Sequence, residues 1–194
     1  EQDHSGSLPL VLKKYPQARL LCSSKARDLL REHLELPEER IRVVEDGETL
    51  DLGGKTLRFL YTPWVHWPET MVTHLAEDRI LFSCDFLGSH LATSELYAGN
   101  DPYVIEAAKR YYAEIMMPFR KTIQGNLRKV RELDFRFVAP SHGPVYDHPE
   151  TIVSAYEDWV SDRVSNQVVI PYISMHGSTE RMVDHLMAAL AERG

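Results

Sequence analysis

The chain has 194 residues, 43% hydrophobic and 26% charged, ordinary globular proportions that can bury a core. Its 22 Lys and Arg against 29 Asp and Glu leave a net charge of −7, which argues against a nucleic-acid groove or an anionic membrane surface as partner. No apolar run reaches the roughly 20 residues needed to span a bilayer. No signal peptide opens the sequence, and Cys22 and Cys84 stand outside any CxxC spacing, so a reducing cytoplasm is the expected setting. The chain opens at Glu1 without an initiating Met, and we expect it to be a piece of a longer protein.

Ser7, as a cap, and Pro9 predict a short helix running to about Lys14, followed by an apolar strand over Arg19–Cys22. Ser24 is the expected cap of an amphipathic helix, Lys25 to Leu34, with Leu29, Leu30 and Leu34 on one face. Ile41 to Val44 reads as a strand. Leu50-Asp51-Leu52 and Leu57-Arg58-Phe59-Leu60 form a hairpin turned by Gly53-Gly54, and a second hairpin joins Met71–Leu75 to Ile80–Ser83. Val104 to Arg131 is predicted mostly helical with an interruption near Pro118. A strand over Phe135–Val138 leads into Ser141-His142-Gly143-Pro144, and Thr151 to Asp162 returns to helix with Trp159 packed beneath it.

The pattern then changes. Gln167 to Ile173 reads as a buried-type strand, Ser174-Met175-His176-Gly177-Ser178-Thr179 as a polar loop, and Glu180 to about Glu192 as a helix. That succession is the opening unit of an open α/β domain, with a boundary near Arg163 to Asn166. Backbone N–H groups and hydroxyls in such a loop suit a phosphate, helped by the partial charge of the helix N-terminus, although plain helix capping explains many similar loops.

Glu1, Asp3, His66, Asp85 and His142 form the candidate metal-ligating set. Several follow a predicted strand directly, where a rigid sheet can aim a side chain. A carboxylate-rich set favours hard, redox-active ions such as iron or manganese over zinc, and an aspartate between two histidines can bridge a pair of ions. Taken one at a time, a His or Asp at a strand end is more often a turn or surface residue. His33, His74, His90, His148 and His185 are given that plain reading, while His4 stands between ligand and pocket lining.

The stretches Glu1-Gln2-Asp3-His4-Ser5-Gly6-Ser7, His66-Trp67-Pro68-Glu69-Thr70-Met71, Cys84-Asp85-Phe86 and Ser141-His142-Gly143-Pro144 resemble the flavodiiron proteins, also called A-type flavoproteins. The intervals agree: 62 residues separate Asp3 from His66, 18 separate His66 from Asp85, and 56, slightly short for the family, separate Asp85 from His142. The resemblance implies an α/β chain: a partial metallo-β-lactamase-like αββα sandwich over 1–163, then the first β-loop-α unit of a flavodoxin-like domain over 167–194. It also implies two non-haem irons, with Glu1 and His66 on one, Asp3 and His142 on the other, and Asp85 bridging. The family's first motif is His-x-Glu-x-Asp, and the chain begins at its glutamate. Ser174, Met175, His176, Gly177, Ser178 and Thr179 resemble the family's FMN phosphate loop.

The function implied is reduction of dioxygen to water or of nitric oxide to nitrous oxide, in a head-to-tail homodimer fed by rubredoxin, a flavin reductase or a reduced deazaflavin. Trp67, Phe86 and Tyr146 are the expected lining of a small apolar substrate pocket. Two other readings compete. One is a hydrolase of the metallo-β-lactamase superfold using a metal-activated water. The other is an electron carrier or docking module whose metal site has decayed.

Overall fold

A computed structural model describes residues 2–163 and 166–193. The chain divides into two compact units, Glu1–Ser161 and Asp162–Gly194.

In the first unit, two short helices, α1 (Gln2–Ser5) and α2 (Leu8–Lys14), precede strand β1 (Leu20–Cys22), helix α3 (Ser24–Leu34) and strand β2 (Ile41–Val43). Ser7 occupies the position before α2, but its side chain caps nothing. The cap of α3 is Ser23 rather than Ser24: in its extended conformation Ser23 turns its hydroxyl to accept from the Ala26 N–H at 3.3 Å. β1 and β2 pair in parallel, Leu20 opposite Ile41.

The main sheet has five strands in sequence order: β3 (Thr49–Asp51), β4 (Thr56–Tyr61), β5 (Met71–Leu75), β6 (Ile80–Cys84) and β7 (Phe137–Pro140). The Gly53-Gly54 hairpin forms as its residues demand, with both glycines at positive φ and Asp51 opposite Thr56. β5 shows the period-two burial of a half-covered strand, Val72 and His74 facing inward. β3, β4, β5 and β6 alternate in direction, whereas β7 joins β6 in parallel. β4, β6 and β7 therefore all point the same way, and their C-terminal ends share one edge of the sheet.

The 52 residues between β6 and β7 carry that parallel crossover on helices. α4 (Pro102–Tyr111) starts on an Asp101 cap and buries Val104, Ala107, Ala108 and Tyr111, a stripe spaced i, i+3, i+4, i+7. The expected interruption occurs just before Pro118, as a wide turn over Tyr112–Met116 and a tight one over Met117–Phe119, because proline can supply no N–H to a continuing helix. α5 (Arg120–Arg131) repeats the stripe with Ile123, Asn126, Leu127 and Val130. β7 begins two residues later than the sequence suggested, and α6 (Pro149–Trp159) begins two residues earlier and stops at Trp159. Trp159 packs against Tyr112 and Tyr156. Leu81 and Val138 from the sheet meet Ile123, Ile152 and Tyr156 from the helices in one core.

Arg131 ties α5 to α6 by reaching Glu150 Oε1 and Glu157 Oε2, each at 2.8 Å. The guanidinium, helped by Ser154, holds the Glu150 carboxyl down to about 2. A depressed carboxyl stabilises the fold above its unfolded value, and that stabilisation fades as pH falls through the folded value. Arg131→Ala should cost about 0.5–1 kcal/mol at neutral pH. The difference should shrink as pH drops from the ordinary 4.5 towards 2. Urea midpoints across that range check this, and a pH-independent loss would count against it.

The second unit departs from expectation in one respect. Gln167 to Ile173 forms no strand, since no segment among the described residues offers it a ladder partner. The helix does form, as α7 (Ser178–Ala191), entered through Gly177 at φ +73°. Among the apolar residues of the unit, Val169, Ile173, Met182 and Met187 are exposed, while Val183 is buried.

Candidate metal centre

Three of the sequence-predicted ligands arrive from the shared sheet edge. Asp85 follows the last residue of β6, His142 lies two residues past β7, and His66 lies in the loop leaving β4. The register makes the first two neighbours, because Cys84 pairs with Pro140 and the Ser141 N–H donates to the Cys84 carbonyl at 2.8 Å. The irregularity between Phe82 and Cys84, with Cys84 at φ +55°, re-aims the strand end so that Asp85 turns inward, 1% exposed. The His66 loop is held from below: buried Asn126 of α5 donates to the Pro63 carbonyl at 3.0 Å. Asp3 and His4 come from α1.

Asp85 stands at the centre. Its Oδ2 lies 3.0 Å from His66 Nε2, and its Oδ1 lies 3.2 Å from both His4 Nε2 and His142 Nε2. Asp3 Oδ2 closes the second group, at 3.3 Å from His4 Nε2 and 3.4 Å from His142 Nε2. The two imidazole nitrogens are 3.1 Å apart. The Asp3 carboxyl titrates below its ordinary value: burial pushes it up, but the charges of His4 and His142 and a backbone hydrogen bond outweigh that.

The donor atoms fit a cation. One atom each from Asp3, His4, Asp85 and His142 lies within 4.8 Å of all the others. The separations of 3.1–3.4 Å within this group are those of ligands about 2 Å from a common centre, the length of a metal–imidazole bond. The other oxygen of Asp85 faces His66, outside that group. Asp85 therefore has an imidazole nitrogen within 3.2 Å of each of its oxygens. Glu1 lies outside the described residues.

Several sequence expectations need revision. His4, left open between two roles, stands among the donors. His74 is buried rather than superficial, with Nε2 2.9 Å from the Asp134 carbonyl. His90 is exposed but stacks edge-on against Tyr111 and His142, at 4.5 and 5.7 Å between ring centres. Phe86 and Tyr146 line no open pocket; both are packed in the core, and Trp67, 5.6 Å from the His66 ring, is half exposed. The apolar space beside the centre lies elsewhere, a cavity of about 470 Å³ lined by Leu8, Leu20, Leu29, Leu30, His4 and Glu69 among others. Nothing in the local sequence marks those leucines as a group, because they come from α2, β1 and α3.

In the second unit, Ser174 Oγ accepts from the Glu180 N–H at 3.3 Å, so the Ser174–Thr179 loop wraps the first turn of α7. A Cβ at Gly177 would meet only Glu180 Oε2, at 4.0 Å. The glycine is thus there for its positive φ rather than for lack of room.

No described helix is long and apolar enough to cross a membrane. Comparison with known proteins matches residues 2–143 to the model of the ODP family beta lactamase. The chain is 37% identical over 201 residues to the coenzyme F420-H(2) oxidase of Methanothermobacter marburgensis, covering 100% of this chain and 50% of that protein. It is 35% identical over 200 residues to the anaerobic nitric oxide reductase flavorubredoxin of Escherichia coli, covering 99% of this chain and 41% of that protein. Among solved structures, rubredoxin oxygen:oxidoreductase from Desulfovibrio gigas superposes with a TM-score of 0.85 at 30% identity, over 99% of this chain and 50% of that one. The chain spans about half the length of the curated relatives it matches. With its sheet and crossover helices, it belongs to the ODP family of β-lactamase-like domains and has the metallo-β-lactamase-like fold of the flavodiiron proteins.

Proposed function

We propose that this chain carries the metal-binding part of a flavodiiron oxidoreductase that reduces dioxygen to water or nitric oxide to nitrous oxide. One observation carries the reading: the buried Asp85 carboxylate presents its two oxygens to two separate sets of imidazole donors. In this reading His66 would hold one iron, Asp3 and His142 the other with His4 beside them, and Asp85 would serve both. Glu1 is assigned to the His66 side on sequence grounds alone. The carboxylate-rich donor set favours a hard, redox-active ion such as iron over zinc, and three carboxylates would offset much of the charge of two divalent ions.

Residues 1–163 form the metal domain in this proposal, and 167–194 begin an FMN domain in which Ser174, Met175, His176, Gly177, Ser178 and Thr179 would hold the phosphate. Bound flavin and iron would relay electrons supplied by a donor such as rubredoxin, a flavin reductase or a reduced deazaflavin, and a head-to-tail homodimer would bring the two groups together. The names of the relatives, an oxidase and a nitric oxide reductase among them, support this chemistry. The chain's own residues supply the holding geometry: Asn126 steadies the His66 loop, the Ser141 N–H ties the His142 loop to β6, and the exposed His90 ring sits against His142.

The test is metal analysis of the full-length protein that contains this chain, produced with iron and zinc both available, joined to gas consumption with a chemical reductant. Iron near two per chain and reductant-dependent loss of oxygen or nitric oxide are expected. A colourless zinc protein that cleaves thioesters or phosphodiesters with no reductant would refute the reading in favour of a hydrolase.

A further inference from the structure

Every tyrosine buried among the described residues, Tyr111, Tyr112, Tyr146 and Tyr156, lies in the one core between sheet and helices, at 0–5% exposure. Phenylalanine would fill that space without taking a phenol oxygen out of water, so packing alone does not account for four hydroxylated rings. The rings also stand in series. Tyr111 of α4 lies 6.4 Å from the His142 ring, centre to centre. Tyr112 follows it in the chain and lies 5.4 Å from both Tyr156 and Trp159. Tyr156 lies 5.1 Å from Trp159, and the Tyr112 hydroxyl donates to the Trp159 carbonyl at 3.3 Å. Trp159, the last residue of α6, is half-buried and so reaches solvent. Ring centres about 4.5–7 Å apart are in contact. Burial pushes the Tyr156 phenol well above its usual value, and the phenols of Tyr111, Tyr146 and Tyr112 stand close enough to push the same way. A phenol held protonated gives up an electron only together with its proton.

We propose that Tyr111, Tyr112, Tyr156 and Trp159 form a relay that carries single reducing equivalents from the surface to the centre when the flavin-borne supply runs short, protecting His142 and its neighbours from oxidation. This rests on the proposed function above. Reduction of dioxygen to water or of nitric oxide to nitrous oxide takes up electrons and protons in equal number, so each step passes one electron with one proton. The O–H bond of Tyr111 breaks as its hydrogen equivalent goes to the centre, and it forms again as Tyr112 or Tyr156 is oxidised in its place. The phenoxyl left there takes a hydrogen equivalent from the Trp159 indole N–H. A soluble one-electron reductant of the thiol or ascorbate class then restores the indole and is itself oxidised.

Two measurements on the full-length protein that contains this chain test the relay. In the first, metal and flavin are removed, and azidyl radicals from pulse radiolysis oxidise the indoles. Indolyl absorption should convert in part to phenoxyl absorption. Trp159→Phe should remove that part, as should Tyr112→Phe combined with Tyr156→Phe, which keeps both rings and their packing. Trp64→Phe, outside the series, should not. In the second, the iron- and flavin-loaded protein is given too few electrons to complete turnover, mixed with dioxygen and frozen for electron paramagnetic resonance. A ring radical should appear, with a tryptophan share that Trp159→Phe removes, and mass spectrometry should find more oxidised His142 in that variant.

A conversion unchanged by Trp159→Phe and by the tyrosine pair would overturn the relay whatever the metal does. A protein that consumes dioxygen yet forms no ring radical would overturn it too, because the rings then have no link to the centre. A fully reduced protein that consumes neither gas refutes the proposed function instead, and the relay falls with it.

Discussion

Asp85→Asn should abolish metal binding, lowering affinity by more than about 100-fold, beyond what loss of an outer-shell partner costs. Asn has the shape of Asp, so the fold is retained, but its amide nitrogen has no lone pair to give and its charge is gone. The effect is large because the one carboxylate serves both sides: Oδ1 stands 3.2 Å from His4 and His142, and Oδ2 stands 3.0 Å from His66. At 1% exposure, no water can take over either position without displacing protein. Binding to the native state also stabilises it, by about 2.7 kcal/mol when free metal is at 100 times the dissociation constant. The parent should therefore melt at a higher temperature with Fe²⁺ or Co²⁺ than without, and Asp85→Asn should show no such shift. Metal content equal to the parent's would remove Asp85 from the centre.

The second large effect is expected at Gly143, next to His142. Its φ of +88° lies in the region that L side chains rarely adopt, and a Cβ built there would lie 2.2 Å from Ser89 Oγ and 3.1 Å from the Ser89 carbonyl. The contact cannot open freely, because Ser89 is fully buried and its N–H donates to the His142 carbonyl at 3.0 Å. Gly143→Ala combines left-handed backbone strain of about 1–2 kcal/mol with overpacking of about 1–3 kcal/mol. A total of about 2–5 kcal/mol in chemical denaturation is expected, with weaker metal binding as His142 shifts. Adding Ser89→Gly removes the contact with Oγ and leaves the backbone strain, so the double variant should recover part of the loss. A Gly143→Ala protein as stable as the parent would show that the loop relaxes freely.

Much of the first unit was legible from residue pattern. The two hairpins follow from alternation and Gly53-Gly54, and the break before Pro118 from the missing N–H of proline. Asp85 and His142 were legible as donors because each follows a strand, where a side chain is held by a ladder. Cap and boundary details were less so: Ser23 and Ser24 are chemically equal, and only the extended backbone at Ser23 makes it the cap. The strand expected over Gln167–Ile173 has apolar residues enough, but strand formation is a property of a pair, and no described segment supplies the second member.

By itself the order of residues determined which donors were available, on which segments, and that carboxylates among imidazoles favour a hard, redox-active cation. It also determined the loop chemistry at Gly177. Only the tertiary structure decided that β7 lies parallel to β6, and thus that Asp85 and His142 share an edge with His66. It likewise decided that His4 joins Asp3 among the donors, that Cys84 stands behind His4, and that Phe86 and Tyr146 belong to the core. The reason is range. Capping, turns and alternation act over a few neighbouring residues, whereas a metal centre is built from side chains up to 139 positions apart, Asp3 and His142, whose meeting depends on strand order and helix docking that no local pattern encodes.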